Sequence, residues 1–126
     1  MKILVVDDNE DSAETTGMLL ELMGHEAMRA HDGGRAIDTA LQWLPDLVLL
    51  DINLPVFSGH EVAQRLRTEA TMRDAYIVAL SGYTSDEDRC KSLEAGCDQH
   101  IGKPFDTGML AVMLDDAEKA LATRRH

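Results

Sequence analysis

Three runs of consecutive apolar residues, ILVV (3–6), LVLL (47–50) and YIVAL (76–80), most constrain what this chain can become. A strand with one wet face alternates apolar and polar residues, whereas an unbroken run of four or five implies cover on both faces, as in a parallel sheet. Acids, glycine or proline bound each run. Weaker candidates at 26–30 and 99–101 suit edge strands. Between the runs, Ile37, Ala40, Leu41 and Leu44 keep an i, i+3, i+4, i+7 spacing, and Leu110, Met113, Leu114, Ala117 and Leu121 repeat it near the end. Ser58 with Glu61 and Thr84 with Glu87 read as helix-starting capping boxes, while Gly24 and Gly96 stand where helices should stop. The order is strand then helix, five times. Right-handed crossovers make that an open, doubly wound α/β sheet.

The whole of 1–126 is the size of one domain, with no linker, repeat or low-complexity segment. Its 12 Lys and Arg against 23 Asp and Glu give a net charge of −11, which sets it against direct nucleic acid binding or anionic lipid. No apolar stretch approaches the ~20 residues of a membrane span, so membrane insertion is not expected. Cys90 and Cys97 lack metal-ligand spacing and read as reduced, structural thiols, which points to the cytoplasm.

Ligands of open α/β sheets bind outside the carboxyl ends of the strands. Asp7 and Asp8 follow the first run, Asp51 the third, Ser81-Gly82 the fourth and Lys103-Pro104 the fifth. Singly, each has a plain explanation as a cap, a turn or a solvated cation. Together they put three carboxylates, a hydroxyl and an ammonium on one edge. Clustered carboxylates resist ionising unless a cation neutralises them, and oxygen-only ligands select a hard ion such as Mg²⁺. Acids, Mg²⁺, a lysine and a hydroxyl suit phosphoryl transfer, with a carboxylate as nucleophile. Asp51, alone at the end of the most central run, is the expected nucleophile. Asp7 and Asp8 are placed to hold metal.

These residues resemble the receiver domain of response regulators, the acceptor half of two-component signalling. The matching segments are VVDDNEDS (5–12), LVLLDINLPVFSGHEV (47–62), IVALSGYTSDED (77–88) and AGCDQHIGKPF (95–105), so the resemblance covers essentially the whole chain. It implies a flavodoxin-like (βα)5 fold with strand order 2-1-3-4-5. It makes Asp51 the phosphoacceptor, with Asp8, Asp51 and the backbone carbonyl of Asn53 as Mg²⁺ ligands and Asp7 acting through a bound water. Ser81, Gly82 and Lys103 would receive the phosphoryl group, and Asn53 and Tyr83 would tune its hydrolysis.

The resemblance further implies a sensor histidine kinase or phosphotransfer protein as donor, and a downstream protein target or output domain as receiver of the signal. Such a domain phosphorylates and dephosphorylates itself and is not otherwise an enzyme; 1–126 holds no output domain. His100 occupies the position where many receivers carry Tyr or Phe, and it is either a switch residue or an exposed edge histidine. The competing reading is a small phosphatase working through an aspartyl phosphate. Such enzymes want an acid two residues after the nucleophile, where Asn53 stands.

Overall fold

The structure, a computed structural model, describes residues 1–54, 57–82 and 86–124. Five strands alternate with five helices: β1 (Lys2–Val6), α1 (Glu10–Leu22), β2 (Glu26–Ala30), α2 (Gly33–Trp43), β3 (Leu47–Asp51), α3 (Gly59–Thr68), β4 (Tyr76–Ser81), α4 (Asp86–Glu94), β5 (Gln99–Gly102) and α5 (Thr107–Arg124). The strands form one parallel sheet in the order β2-β1-β3-β4-β5, so the unbroken apolar runs occupy the three central places.

Both faces of that sheet are covered, which is why the central strands read as solid apolar sequence. Leu4, Val6, Val48, Leu50, Ile77 and Ala79 pack with the buried sides of α2 and α3. Ile3, Val5, Leu47, Leu49, Val78 and Leu80 pack with α1 and α5, where all five stripe residues from Leu110 to Leu121 are buried. Every residue of β3 and β4 is buried.

Local chemistry sets the helix ends. Asn9 caps α1 by accepting from the Ser12 amide at 3.1 Å, and Glu10 and Asp11 place negative charge at its positive end. Ser58 caps α3 through the Glu61 amide at 3.3 Å, as the capping box predicts. Thr84 lies outside the described residues. Gly24 and Gly96 follow α1 and α4 with φ of 92° and 102°, a conformation that strains any residue with a Cβ.

The second helix is shorter than its apolar spacing predicts. It ends at Trp43, and Leu44 turns to a φ of 55° with 45% of its surface exposed. Pro45 explains the stop, because its ring disfavours helical geometry in the residue before it. A 3-10 turn at Ala70–Met72, unsignalled by the periodicity, buries Met72 in the core.

Candidate functional site

The backbone ladders run one residue beyond the strands on the carboxyl edge. The Asp7 amide donates to the Ala30 carbonyl, that of Ile52 to Leu80, and that of Lys103 to Ser81 at 2.7 Å. These bonds fix the acids and the lysine on rigid backbone before any ligand arrives.

The expected carboxylates do converge. Asp7, Asp8 and Asp51 each offer an oxygen, all within 4.8 Å of one another, with Asp7 and Asp51 buried and Asp8 exposed. Lys103 lies between the buried two: its Nζ donates to Asp51 Oδ2 and to Asp7 Oδ2, both at 3.1 Å. One ammonium is therefore shared by two carboxylates. Two turn bonds hold the remaining oxygens, with the Asn9 amide donating to Asp7 Oδ1 and the Asn53 amide to Asp51 Oδ1, each at 3.0 Å.

Burial raises the Asp51 pKa, and the charge of Asp7 adds to this, against the Asn53 amide and Lys103, which pull it down. Lys103 moves up as well. Burial opposes its charge, but hydrogen bonds and attraction from Asp51 and Asp7 prevail. The contact is unequal because the ammonium faces two carboxylates while each carboxylate has only a share of one ammonium. The cluster thus keeps uncompensated negative charge in a partly dry place, and its oxygen-only donors match a hard divalent cation.

Ser81 is 3% exposed at the end of β4, across the ladder from Gly102. A Cβ added to Gly82 would meet nothing within 4 Å, so the approach there is open independently of the missing side chain. The peptide bond between Lys103 and Pro104 is cis. Tyr83 lies outside the described residues.

His100 is not an exposed edge residue. It is 8% exposed, and its Nδ1 lies 2.7 Å from Ser92 Oγ on α4. β5 presents it to the helix layer rather than to solvent, since it sits in register with buried Ala79.

Several supporting residues carried no signal that sequence reasoning used. His31 Nδ1 donates to the Asp7 carbonyl at 3.1 Å. Gly59 opens α3 hard against the end of β3: an added Cβ would stand 2.4 Å from the Asp51 carbonyl oxygen and 2.7 Å from Ile52 Cα. The glycine beside the Ser58 cap was visible, but its reason lies in a contact with β3. A cleft of about 610 Å³ between α1 and the segment after β5 adjoins the acids, lined by Asp7, Ser12, Thr16, Leu19, Lys103 and Phe105.

Residues 3–115 match the family described as response regulator receiver domain. The chain belongs to the response regulator receiver family. It is 39% identical over 124 residues to the transcriptional regulatory protein PrrA of Mycobacterium tuberculosis, covering 98% of this chain and 51% of that protein. It is 33% identical over 103 residues to the polar-differentiation response regulator DivK of Brucella abortus, covering 82% of this chain and 84% of DivK. The chain thus spans about half the length of the PrrA relatives and most of DivK.

The fold is that of the chemotaxis protein CheY4 of Vibrio cholerae, with a TM-score of 0.88 at 28% identity over 92% of this chain and 97% of that one. A putative response regulator from Chloroflexus aurantiacus gives 0.87 at 27% identity over 96% and 97%. Receiver domains are signalling domains of two-component systems, and the strand order 2-1-3-4-5 is the one the resemblance implied. No helix among the described residues is long and apolar enough to cross a membrane.

Proposed function

We propose that Asp51 is the phosphoacceptor of this receiver and that a phosphohistidine on a sensor kinase or phosphotransfer protein is its donor. The observation that carries this reading is the position of Lys103 Nζ, 3.1 Å from both Asp51 and Asp7. It aims a cation at the place where phosphoryl oxygens would stand beside Asp51. An Asp51 oxygen attacks phosphorus, the bond from phosphorus to the donor nitrogen breaks, and the electron pair leaves with the imidazole. Lys103 then trades a carboxylate for a phosphoryl oxygen, and Ser81 donates its hydroxyl to another.

The donor set fits Mg²⁺: Asp8, Asp51 and the Asn53 carbonyl would hold it, with Asp7 acting through a bound water. Mg²⁺ supplies the positive charge that lets a dianionic group approach three acids. Asn53 and Tyr83, two residues beyond Asp51 and Ser81 in the sequence, would tune hydrolysis, the entry at Gly82 is open, and His100 carries the change to α4. The domain works on itself, gaining and losing the group at Asp51. An amide at position 53 leaves no acid there to protonate a leaving group, which counts against a phosphatase.

The donor's imidazole would enter through the cleft beside α1, whose hydroxyl and apolar lining adjoins Lys103. Residues 1–126 act as one receiver unit, and the signal passes to a downstream protein or an output domain. The net charge of −11 opposes direct nucleic acid contact by this unit. Its free thiols, Cys90 exposed and Cys97 buried, suit a reducing cytoplasm.

Intact-mass spectrometry after incubation with acetyl phosphate and Mg²⁺ tests the reading. One phosphoryl group should be gained by wild type and none by Asp51→Asn. An equal gain in the variant would contradict it.

A further inference from the structure

Helix α4 is seated differently from its neighbours. Ser92 is its one buried side chain, fully inaccessible, while Leu93 beside it is 57% exposed. Where α3 and α5 bury apolar rows, α4 presents a hydroxyl to the core. That hydroxyl stands between two imidazoles: Ser92 Oγ lies 3.0 Å from His60 Nε2 on α3 and 2.7 Å from His100 Nδ1 on β5. Arg89 adds a bond from α4 to the His100 carbonyl at 3.2 Å.

A serine hydroxyl has one proton to give. With both histidines neutral, one imidazole donates N–H to Oγ and the hydroxyl donates to the unprotonated nitrogen of the other. One added proton can be carried without breaking either bond, because the cationic ring simply becomes the donor. A second proton is costlier. Both ring nitrogens then point N–H at the same oxygen, which can accept both through its two lone pairs, but the hydroxyl's own proton loses its imidazole acceptor. Two cations would also face each other across a buried hydroxyl.

The surrounding charges add to this. Lys91 and Arg89 on α4 are further cations, and Asp88 is the one acid of α4 that favours a charged His60. Asp98, which lines the neighbouring cleft with His100, is committed to Arg67 and Arg124. Burial, then the charges of His100 and Lys91, hold His60 below the ordinary histidine value of 6.5.

We propose that the His60–Ser92–His100 chain is a proton-sensitive latch: in its neutral form it seats α4 against α3 and β5, and acid releases the helix. Its two ends lie beside the site. His60 follows Gly59, which packs on the Asp51 backbone, and His100 precedes Lys103 by three residues. The α4 surface offered to a partner therefore depends on the protonation of this chain. The latch requires neither phosphoryl donor nor Mg²⁺, so it stands apart from the assignment of Asp51.

Hydrogen exchange of backbone amides, corrected for intrinsic rates, tests it on the full chain without donor or metal. From about pH 7.5 to about pH 5.5, α4 should lose roughly tenfold in protection, the scale of one buried hydrogen bond, while β3 does not. Ser92→Ala should show the loosened α4 already at the higher pH, with little further change. His60→Gln keeps an amide able to reach Oγ but removes a titrating ring, and should hold α4 protected in acid. Equal protection of wild-type α4 at both pH values would overturn the latch. So would a Ser92→Ala chain with full protection, or acid release in His60→Gln matching wild type. Should Ser92→Ala not fold, His60→Gln still decides.

Discussion

Gly59 and Asp51 are in backbone contact: the first residue of α3 lies so close to the end of β3 that a Cβ would stand 2.4 Å from the Asp51 carbonyl oxygen. The obstacle is backbone rather than a flexible side-chain end, so α3 must move to admit even a methyl group. Gly59→Ala should therefore cost about 1–3 kcal/mol, the range for overpacking, and shift the Asp51 carboxylate relative to Lys103. Urea denaturation reads the first effect and the rate of phosphorylation by acetyl phosphate the second. A variant matching wild type in both would show that the contact relaxes freely.

Asp51 carries a pH signature of its own. Burial raises its pKa above the ordinary 3.8, so between that value and the folded one the native chain holds more protons than the unfolded chain. Its contribution to stability thus falls as pH rises through that window and stays lost above it. In metal-free buffer with chelator, Asp51→Asn should be more stable than wild type at neutral pH and lose that advantage in acid. Stability curves that run parallel at every pH would remove this explanation.

Lys103 has the same sign of pH dependence in a more alkaline window. Its pKa is raised, so its stabilisation is whole below 10.5 and disappears as pH climbs through the higher folded value. Lys103→Met leaves Asp7 and Asp51 facing each other without their shared ammonium. The cost should be about 1–3 kcal/mol, below that of breaking a fully buried pair because 31% of the Lys103 side chain is exposed. The deficit should shrink when Mg²⁺ is added. Thermal melts with and without Mg²⁺ measure both.

What was legible beforehand follows from what is local. The strands were readable because β1, β3 and β4 are buried on both faces and carry unbroken apolar runs, and the convergence of the three acids because the pair Asp7-Asp8 and the single Asp51 each follow such a run. The end of α2 was misplaced because an apolar period at Leu44 outweighed the effect of Pro45 on the residue before it. Gly59, His31 and the bond from His60 to Ser92 were missed for another reason. Each depends on a partner more than 20 residues away except Gly59, whose contact with Asp51 spans a loop, and no periodicity records such meetings. Of the two readings of His100, the exposed edge histidine follows from β5 being an edge strand, and it fails because α4 covers the ring.

At the other end of the sheet, Asp98 gathers Arg67 at 2.8 Å, the Ile77 amide at 2.8 Å and Arg124. Asp98→Ala leaves two guanidinium groups and one amide without this acceptor, and should destabilise the fold by about 2–4 kcal/mol. Phosphorylation under folding conditions should be unchanged, since the cluster sits at the start of β4 and before β5, opposite the acids. A large loss of phosphorylation with little loss of stability would contradict that separation.

The most direct measurement locates the bond itself. An acyl phosphate is reduced by borohydride to an alcohol, which turns a phosphorylated aspartate into homoserine that peptide mass spectrometry can place. After wild-type protein is treated with acetyl phosphate and Mg²⁺, then borohydride, homoserine should appear at position 51, with Asp7 and Asp8 intact. Homoserine at 7 or 8, or none at 51 in protein shown to be phosphorylated, would contradict the account.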